Sequence, residues 1–419
     1  MNHGWAYVSL GDACQIKPPK KEVKELLEKT DMVSFVPMNN LGIREKYFSS
    51  MEERPFEKVS GSYTYFADGD VLLAKITPCF ENGKLGIARD LTNGVGFGSS
   101  EYVVFRPKDG LDPEYLFYYL SQNSFRDLGQ RVMTGAVGHK RVPKEFIETH
   151  VVPLAPVQEQ RRIVAILDDA FAGIDAAIAN TEKSLANARE LFESYLDSVF
   201  GHRGEGWCEK PLAEFVISIS TGPFGSLLHK SDYVSDGAPL VNPINIVGIK
   251  VVPDYKKMVG DDTKERLGAY ILKEGDVVIG RRGEIGRCAV IEKAQDGWVC
   301  GTGCFFIRSS GLTSPHFMSH LLRSSQYRKE LERISAGATM LNLSNKALSG
   351  LIVAMPEVSE QERIVSRISD LLSQCQKAES IYQQKLTILA ELKQSLLEKA
   401  FTGELTAENM ESEAREAVI

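Results

Sequence analysis

The feature that most constrains this chain is an internal repeat that spans about half of its 419 residues. Residues 159–164 (EQRRIV) return as residues 360–365 (EQERIV), and each copy opens a helical stretch that closes on Phe200-Gly201 or Phe401-Thr402-Gly403. Solenoid units repeat every roughly 20–50 residues, so a repeat of this length is a duplicated domain. We therefore expect two globular units and two long helices to alternate along the chain, with approximate twofold symmetry.

Each globular unit has the pattern of short strands joined by turns. In the first unit, residues 70–74 and 102–105 are apolar runs with high strand propensity, and Gly-containing loops flank them. The second unit repeats this order with residues 277–279 and 304–307. The pattern predicts mixed α/β units with several short strands.

Two long stretches have the apolar spacing of a coiled coil, with alternating steps of four and three residues. The first stretch carries this seam at Leu167, Phe171, Ile174, Ile178, Thr181 (its one polar member), Leu185, Ala188, Phe192, Tyr195 and Val199. The second carries it at Ile368, Leu372, Cys375, Tyr382, Leu386, Leu389, Leu396 and Ala400, with breaks at Glu379 and Lys393.

Each of these apolar seams needs a partner. A helix from Val157 to Phe200 would be about 66 Å long, at 1.5 Å per residue, whereas a small domain is roughly 30 Å across. Each helix could pack on its own globular unit, but most of its length would then project beyond that unit. We expect the two long helices to pair with each other, in antiparallel orientation because a whole domain separates them in the sequence.

The predicted fold class is α+β: two mixed α/β domains separated by two long antiparallel coiled-coil helices, related by an internal pseudo-twofold repeat. Within each domain a shorter helix should begin at Pro113 or Pro315, because proline is tolerated in the first helical turn. The predicted boundaries are residues 1–152 for the first domain, 153–202 for the first long helix, 203–355 for the second domain, 356–405 for the second long helix and 406–419 for an acidic tail.

Composition leaves several classes of partner open. With 43% hydrophobic and 25% charged residues, the chain resembles an ordinary globular protein. The net charge of −7 argues against nucleic acid, whose binding proteins usually carry a basic footprint. However, residues 403–419 hold five glutamates and one arginine, so much of the negative charge belongs to the tail. The average charge therefore decides little.

The sequence offers no targeting or metal-binding signal. No segment approaches the ~18 consecutive apolar residues of a membrane helix, and the first residues do not resemble a signal peptide, so we expect a cytoplasmic protein. The seven cysteines are scattered. Cys300 and Cys304 form the only close pair, and without a second pair at zinc-ligand spacing they are best interpreted as buried thiols. We expect no metal site and no cofactor.

The combination of these features resembles the specificity subunit of type I restriction-modification enzymes. Residues 153–157 (PLAPV) precede the first long helix, residues 400–405 (AFTGEL) end the second, and residues 221–226 (TGPFGS) open the second domain. Each motif alone is weak, but together they match that family's pattern over the whole chain.

The resemblance implies a function for each part. In that family each globular unit is a target recognition domain that reads one half of a bipartite DNA site, and the helices act as a spacer that docks two methyltransferase subunits. Restriction subunits join in the full complex. Because the two units differ in sequence, we expect a non-palindromic target whose half-site spacing depends on the helices.

Sequence-specific readout needs Arg or Lys to face guanine, or Asn or Gln to face adenine, while Lys and backbone N–H groups can bind phosphates. Residues 280–287 (GRRGEIGR) place arginines on a Gly-punctuated turn after a strand, although a solvated hairpin tip explains them equally well. The candidates from this turn and its counterpart in the first unit are Arg281, Arg282 and Arg287, and Lys75, Asn82 and Lys84.

A second pair of loops lies before the two long helices, at residues 134–141 and 336–346. Their positions match between the copies while their residue types differ, as two readers of different targets require and as drift in a surface loop would also produce. Their candidates are His139, Lys140 and Arg141, and Asn342, Asn345 and Lys346. Weaker candidates, equally typical of stiff surface turns and hydrogen-bonded loops, are Lys17, Lys20, Lys21, Lys230, Asn242 and Asn245.

Catalytic motifs are missing from the sequence. It has no Asn/Asp-Pro-Pro-aromatic motif with a methyl-donor loop, no phosphate-binding loop for ATP, and no recognisable nucleophile with a histidine and a carboxylate. We therefore expect a non-catalytic DNA-reading subunit. The alternative is a coiled-coil scaffold with twin protein- or peptide-binding domains, and a nuclease that acts alone is the third possibility.

Overall fold

The computed structural model describes residues 4–48, 51–202, 204–224, 227–335 and 342–406. The proposed acidic tail at residues 406–419 lies outside the described residues except for Thr406. The chain divides into two compact units: unit 1 comprises Met1–Thr181 with Gln384–Ile419, and unit 2 comprises Glu182–Gln383. Each long helix therefore contributes one part to each unit.

The first half of the chain alternates short strands with short helices and ends in a long helix. Its strands are β1 (Ala6–Ser9), β2 (Cys14–Ile16), β3 (Met32–Val36), β4 (Glu52–Pro55), β5 (Thr64–Ala67), β6 (Val71–Ala74), β7 (Leu85–Ile87), β8 (Val95–Gly98), β9 (Tyr102–Pro107) and β10 (Val151–Leu154). Its helices are α1 (Leu10–Ala13), α2 (Lys21–Lys24), α3 (Phe56–Val59), α4 (Pro113–Leu120), α5 (Asn123–Arg131), α6 (Lys144–Thr149) and α7 (Val157–Gly201).

The second half also ends in a long helix, but seven strands precede its first α-helix. Its strands are β11 (Cys208–Pro211), β12 (Val216–Thr221), β13 (Tyr233–Val234), β14 (Ala238–Val241), β15 (Ile246–Val247), β16 (Lys250–Val251), β17 (Met258–Val259), β18 (Val277–Gly280), β19 (Cys288–Val290), β20 (Val299–Cys300), β21 (Cys304–Ser309) and β22 (Ile352–Met355). Its helices are α8 (Asp261–Arg266), α9 (Pro315–Arg323), α10 (Ser325–Arg333), α11 (Asn345–Ser349) and α12 (Val358–Thr402).

Each unit contains two four-stranded sheets, of which the first has the same strand arrangement in both units and the second differs in where its parallel pair lies. In unit 1 the strand orders are β2-β9-β6-β7 and β4-β3-β8-β5, and in unit 2 they are β12-β21-β18-β19 and β13-β17-β14-β20. The first sheet of each unit is antiparallel, whereas the second contains one parallel pair, β3 with β8 or β14 with β20. This confirms the predicted mixed α/β units and their internal repeat.

A partly buried ion pair explains why Gly-Asp-Val occurs at both residues 69–71 and residues 275–277, where β6 and β18 begin. The carboxylate of Asp70 accepts hydrogen bonds from Nε and Nη2 of Arg106, both at 2.8 Å, and Asp276 accepts the same pair from Arg308 at 3.0 and 2.8 Å. Each aspartate also accepts a backbone N–H, from Ala67 or Lys273. The hydrogen bonds to these aspartates raise the pKa of both arginines. The motif therefore holds one strand of the sheet to its neighbour.

The short helices α4 and α9 begin as the sequence predicts. The side chain of Asp112 caps α4 by accepting the N–H groups of Glu114 and Tyr115, and Ser314 caps α9 by accepting the N–H of Phe317. Proline occupies the first turn of both helices, where its missing N–H costs nothing.

A buried glutamine joins each long helix to its domain. The amide of Gln160 accepts the N–H of Asp112 at 2.8 Å and donates to the carbonyls of Gly110 and Ala155, both at 2.7 Å. Gln361 makes the equivalent three bonds, to Ser314 N and to the carbonyls of Leu312 and Pro356. Both side chains are fully buried. The repeated glutamine therefore fixes the loop before α4 or α9 against the start of the long helix.

In each unit the long helices pack against each other in antiparallel fashion, as predicted. The start of α7 and the end of α12 share one hydrophobic core in unit 1, which contains Leu167 and Leu397. The end of α7 and the start of α12 do the same in unit 2, which contains Phe192 and Ile368. Independent packing of the two helices is therefore excluded, because each helix contributes to the core of both units.

Ion pairs occupy the two breaks in the apolar seam of α12. Lys393 pairs with Asp175 of α7 within unit 1, and its ammonium lies 4.9 Å from the ring centre of Phe171. Glu379 accepts Nε of Arg189 at 3.3 Å within unit 2. The polar residues at seam positions are thus satisfied by the facing helix.

The phenylalanine that ends each long helix packs into the domain made by the other half of the chain. The Phe401 ring lies 4.9 Å from Tyr115 of α4, and the Phe200 ring lies 5.4 Å from Phe317 of α9, both in edge-on contact. Each domain core is therefore completed by a segment that is distant in sequence. None of the described helices is long and apolar enough to cross a membrane.

Candidate nucleic-acid interface

One edge of the first sheet gathers several loops in unit 2. In the register of this sheet, Gly280 at the end of β18 faces Cys304 at the start of β21, and Thr221 at the end of β12 faces Phe305. Residues that follow β18 or β12 and those that precede β21 therefore lie at the same edge. We name this edge, formed by residues 222–224, 281–287 and 301–303, the unit 2 loop edge.

The equivalent edge of unit 1 is built from the equivalent loops. Ala74 at the end of β6 faces Tyr102 at the start of β9, and Ile16 at the end of β2 faces Phe105. The unit 1 loop edge therefore comprises residues 17–21, 75–84 and 99–101. It holds the candidates Lys17, Lys20, Lys21, Lys75, Asn82 and Lys84.

The second pair of candidate loops reaches the same two edges. Ile76 forms an isolated antiparallel bridge with Arg141, and Arg282 forms the equivalent bridge with Asn342. The N–H of Val142 donates to the carbonyl of Lys75 at 2.9 Å, as does that of Leu343 to Arg281. The structure thus brings together loops more than fifty residues apart in the sequence.

An ion pair neutralises part of the charge at the unit 1 loop edge. Glu101 accepts Nε and Nη2 of Arg141 at 2.9 and 2.8 Å, and the Nζ of Lys75 donates to the carbonyl of Ser100 at 3.1 Å. Hydrogen bonding to Arg141 lowers the pKa of Glu101, whereas burial lowers the pKa of Lys75. The role of Glu101 cannot be predicted from the sequence, because a lone glutamate before a strand does not indicate its partner.

Arg281 is buried rather than displayed at a hairpin tip. Only 7% of it is exposed, and its guanidinium carbon lies 4.7 Å from the ring centre of Phe224 and 5.4 Å from that of Phe305. Its Nε and Nη1 have no hydrogen-bond partner among the described residues. Burial, with a contribution from the charge of Arg282, lowers the pKa of Arg281. No local sequence pattern identifies either phenylalanine as a neighbour of Arg281.

The other two arginines of this turn have different surroundings. Arg282 is exposed at the unit 2 loop edge. Arg287 donates to Glu284 through Nε at 2.7 Å and also through Nη2, and it lines a small cavity with Glu193 and Arg328. Its charge is therefore already paired with a neighbouring carboxylate.

Several other candidates have side chains committed to hydrogen bonds within the protein. Lys84 donates to the carbonyl of Met38 at 2.6 Å, and Lys20 donates to the carbonyls of Ser60 and Gly61 at 3.1 and 2.7 Å. Burial lowers the pKa of Lys20. These contacts are between side chain and backbone, so sequence patterns could not reveal them.

The candidate asparagines also serve the fold. Asn245 is 6% exposed; its Oδ1 accepts the N–H of Asn242 at 2.9 Å and its Nδ2 donates to Val252. Asn345 donates to the carbonyl of Ile219 at 2.8 Å. The Oδ1 of Asn342 is buried without a hydrogen-bond partner among the described residues. Their DNA contacts stay predictions.

The remaining candidates are exposed on the surface. Lys17 and Lys21 lie at the unit 1 loop edge, whereas Lys230 lies in a single 3-10 turn, Lys230–Asp232, before β13. The others in this group are Asn82, His139, Lys140 and Lys346. Residues 225–226 of the second-domain opening motif and residues 336–341 of the second loop lie outside the described residues.

The described residues also include the close cysteine pair and the side chains that could bind a metal ion. Cys300 and Cys304 are buried, as predicted, and burial raises the pKa of the Cys304 thiol to about 12. No group of three or more His, Cys, Asp or Glu side chains placed to hold a metal ion occurs in the described part of the chain. At the two loop edges, the exposed side chains include the cations Lys17, Lys21 and Arg282 and the amide of Asn82. Such side chains suit an anionic polymer.

Comparison with known proteins gives matches to one protein family. The family model described as "Type I restriction modification DNA specificity domain" matches residues 2–185 and 240–387, more than three quarters of the chain. Similar proteins include the type I restriction enzyme EcoEI specificity subunit of Escherichia coli, which is 35% identical over 46% of this chain and 32% of its own length.

Two further comparisons cover different lengths. The EcoAI specificity subunit of Escherichia coli is 34% identical over 47% of this chain and 33% of its own length, so the match spans about a third of each of these relatives. A chain solved for the "structural basis underlying complex assembly and conformational transition of the type I R-M system" superposes with a TM-score of 0.79. It is 20% identical, with coverage of 96% of this chain and 99% of that one. At this identity the superposition shows the shared fold.

Proposed function

Because this chain belongs to the type I restriction modification DNA specificity family, we propose that it is a DNA-reading subunit in which each unit recognises one half of a bipartite duplex site. The observation that carries this proposal is the convergence of separate basic and amide-bearing loops on the same sheet edge of both units. Arginine, lysine and asparagine are the side chains that read base edges and bind phosphates.

The two half-sites should differ. Equivalent positions at the two loop edges hold different residues, such as Arg141 against Asn342. Side chains with different donors and acceptors select different bases, so a non-palindromic target follows. We propose the domain boundaries given above, residues 1–152 and 203–355, as the extents of the two readers.

Catalysis should belong to partner subunits. We propose that two methyltransferase subunits dock on this chain, that restriction subunits join in the full complex, and that the chain itself has no catalytic activity, cofactor or metal. Incubation of the purified chain with plasmid and Mg²⁺ tests whether the chain alone has nuclease activity. Any cleavage or nicking would contradict the proposal that it has no catalytic activity.

Mapping of methylated sites tests the proposed readout. In a host that carries this chain and its partner subunits, we expect methylation at two short, different sequences separated by a constant gap. A host with the partners but without this chain is the control. Methylation at a single continuous or palindromic sequence would contradict a two-reader mechanism.

Binding to random duplex DNA separates this function from that of a protein-binding scaffold. Phosphate contacts release counterions, so the affinity of a DNA reader must fall steeply as salt rises. We expect a linear fall of log Kobs with log salt concentration. A flat response, or no binding at low salt, would favour the scaffold.

A further inference from the structure

Lys75 and Arg281 occupy equivalent positions at the two loop edges. Each follows the last residue of its strand, and each donates its N–H to the residue that precedes the neighbouring strand, Glu101 O at 3.0 Å or Gly303 O at 2.9 Å. Each also accepts a backbone N–H from the second loop. The two sites can therefore be compared residue by residue.

The comparison shows that a carboxylate is present in one site and absent from the other. In unit 1, Glu101 pairs with Arg141. The negative charge of Glu101 also raises the pKa of Lys75, against the larger lowering by burial. In unit 2 the equivalent residue is Gly303, and the two cations Arg281 and Arg282 have no carboxylate partner among the described residues. At the unit 2 loop edge, therefore, no carboxylate among the described residues compensates the charges of Arg281 and Arg282.

The burial of Arg281 makes this imbalance costly. Its Nε and Nη1 are buried and have no hydrogen-bond acceptor among the described residues. The rings of Phe224 and Phe305 attract the cation, but such contacts offset only part of the cost of removing a charge from water. An anion supplied from outside would complete the site.

We propose that Arg281, together with the exposed Arg282, forms a binding site in unit 2 for a phosphate group of the DNA backbone. This inference rests on the proposed DNA-reading function. It assigns to Arg281 a role that is independent of sequence, in contrast to a bidentate contact with guanine.

The geometry favours phosphate over a base edge. The backbone of Arg281 is held from both sides, by Gly303 and by Leu343, and its guanidinium lies within 5.4 Å of two ring centres. A side chain so confined cannot extend into a groove, whereas a phosphate oxygen can approach the protein surface. Phe224 is 46% exposed, so its ring reaches the surface beside the guanidinium.

The first experiment measures anion binding without DNA. Inorganic phosphate should raise the thermal midpoint of the full-length chain, because a ligand that binds only the folded state stabilises it. Arg281→Met should lose most of this rise, whereas the matched variant Lys75→Met should keep it. An undiminished rise in Arg281→Met would overturn the proposal. Arg281→Lys, which retains the charge, should recover part of the effect, and failure to recover any would also count against it.

The second experiment measures DNA binding. Loss of one phosphate contact should lower the slope of log Kobs against log salt by about 1. We expect this in Arg281→Met, equally for target and random duplexes, with a smaller change in Lys75→Met. A loss confined to the target duplex would mean a base contact and overturn the proposal.

The two experiments separate the two hypotheses. If wild-type chain binds no DNA but phosphate stabilises it through Arg281, the oxyanion site stands and the proposed function fails. If wild-type chain binds DNA with a steep salt dependence and Arg281→Met changes neither measurement, the function stands and the site fails.

Discussion

At the residue scale, the repeated positions separate into those that hold the fold and those that vary with the unit. Gln160 and Gln361 keep the same residue type and make the same three hydrogen bonds. Tyr118 and His320 occupy equivalent positions on α4 and α9, but only the tyrosine bonds a carboxylate, that of Asp168. The residue that is the same in both copies therefore holds the junction between domain and helix. The residues that differ make contacts that are specific to one unit.

Replacement of Gln160 tests the junction between domain and helix. Gln160→Leu would remove the partner of three backbone groups, of which the carbonyl of the buried Ala155 is the least accessible to water. The cost is about 1–3 kcal/mol for each group that water cannot reach. We expect the free energy of unfolding, measured with urea, to fall by about 2–5 kcal/mol. Gln158→Leu, at an exposed position two residues earlier, is the control and should change it by less than about 0.5 kcal/mol. Equal effects of the two variants would remove the role assigned to Gln160.

His320 should make stability depend on pH. Burial lowers the pKa of His320 from 6.5 to about 4 in the folded state, and its Nδ1 has no hydrogen-bond partner among the described residues. Between these values the unfolded chain binds the proton and the folded chain does not, so stability falls as pH falls through this window. The loss approaches about 3 kcal/mol near pH 4, at 1.36 kcal/mol per pKa unit.

Urea unfolding at several pH values measures this dependence. His320→Phe should flatten the curve between pH 6.5 and 4, and a residual slope should remain because burial also lowers the pKa of His150. His139→Gln, at an exposed site, should leave the curve unchanged. A wild-type slope that persists in His320→Phe would show that another group titrates in this range.

At the element scale, the long helices act as structural parts of the domains as well as partners for each other. Phe401 on α12 contacts Tyr115 and Tyr119 of α4, and Phe200 on α7 contacts Phe317 of α9. The apolar seam accounts for helix pairing, while the terminal phenylalanines account for the attachment of each helix end to a domain. One helix therefore buries two different surfaces along its length.

Truncation of Phe401 tests this attachment. Phe401→Ala should cost about 3–5 kcal/mol of stability, the usual range for a buried aromatic residue, and the loss should fall on unit 1. Hydrogen exchange should show faster exchange in α4, although α4 lies far from residue 401 in the sequence. Ile388→Ala, at a position on the same helix that is 61% exposed, is the control. Protection of α4 unchanged in Phe401→Ala would contradict the packing.

At the scale of the whole molecule, the two compact units are each assembled from both halves of the chain. Residues 384–406 complete the unit that residues 4–181 begin, and the two long helices pass between the units. The chain passes from one unit to the other at residues 181–182, within α7, and again at residues 383–384, within α12. A change in helix length should therefore affect how the two half-sites are read together.

Insertion of four residues, about one helical turn, midway along α7 tests this idea. We expect methylation mapping to give the same two half-sites with a different preferred gap, because neither loop edge is altered. The same insertion in the exposed segment near Asp236 is the control and should leave the gap unchanged. An unchanged gap in the helix variant, with circular dichroism showing that its helix content is retained, would rule out a spacer role.

The long helices and the main strands could be predicted because their patterns are periodic. The first long helix was expected at Val157 to Phe200 and is observed at Val157–Gly201, and the strands around residues 71–74 and 277–280 also match. The candidate site was less accessible to prediction. Its loops were identified one by one, but the contacts of Arg141 with Glu101 and of Arg281 with Phe224 depend on sheet register, which no local pattern specifies.

The sequence by itself determined that the chain is a duplicated domain with two paired helices, because a repeat and a heptad pattern are properties of residue order alone. Only the tertiary structure decided which cations are free to meet a ligand. Lys20 and Lys84 bond backbone carbonyls, Arg141 bonds a carboxylate, and Arg281 is buried beside two rings. The reason is physical: a side chain's availability depends on its neighbours in space, and these come from loops that only the folded sheet brings together.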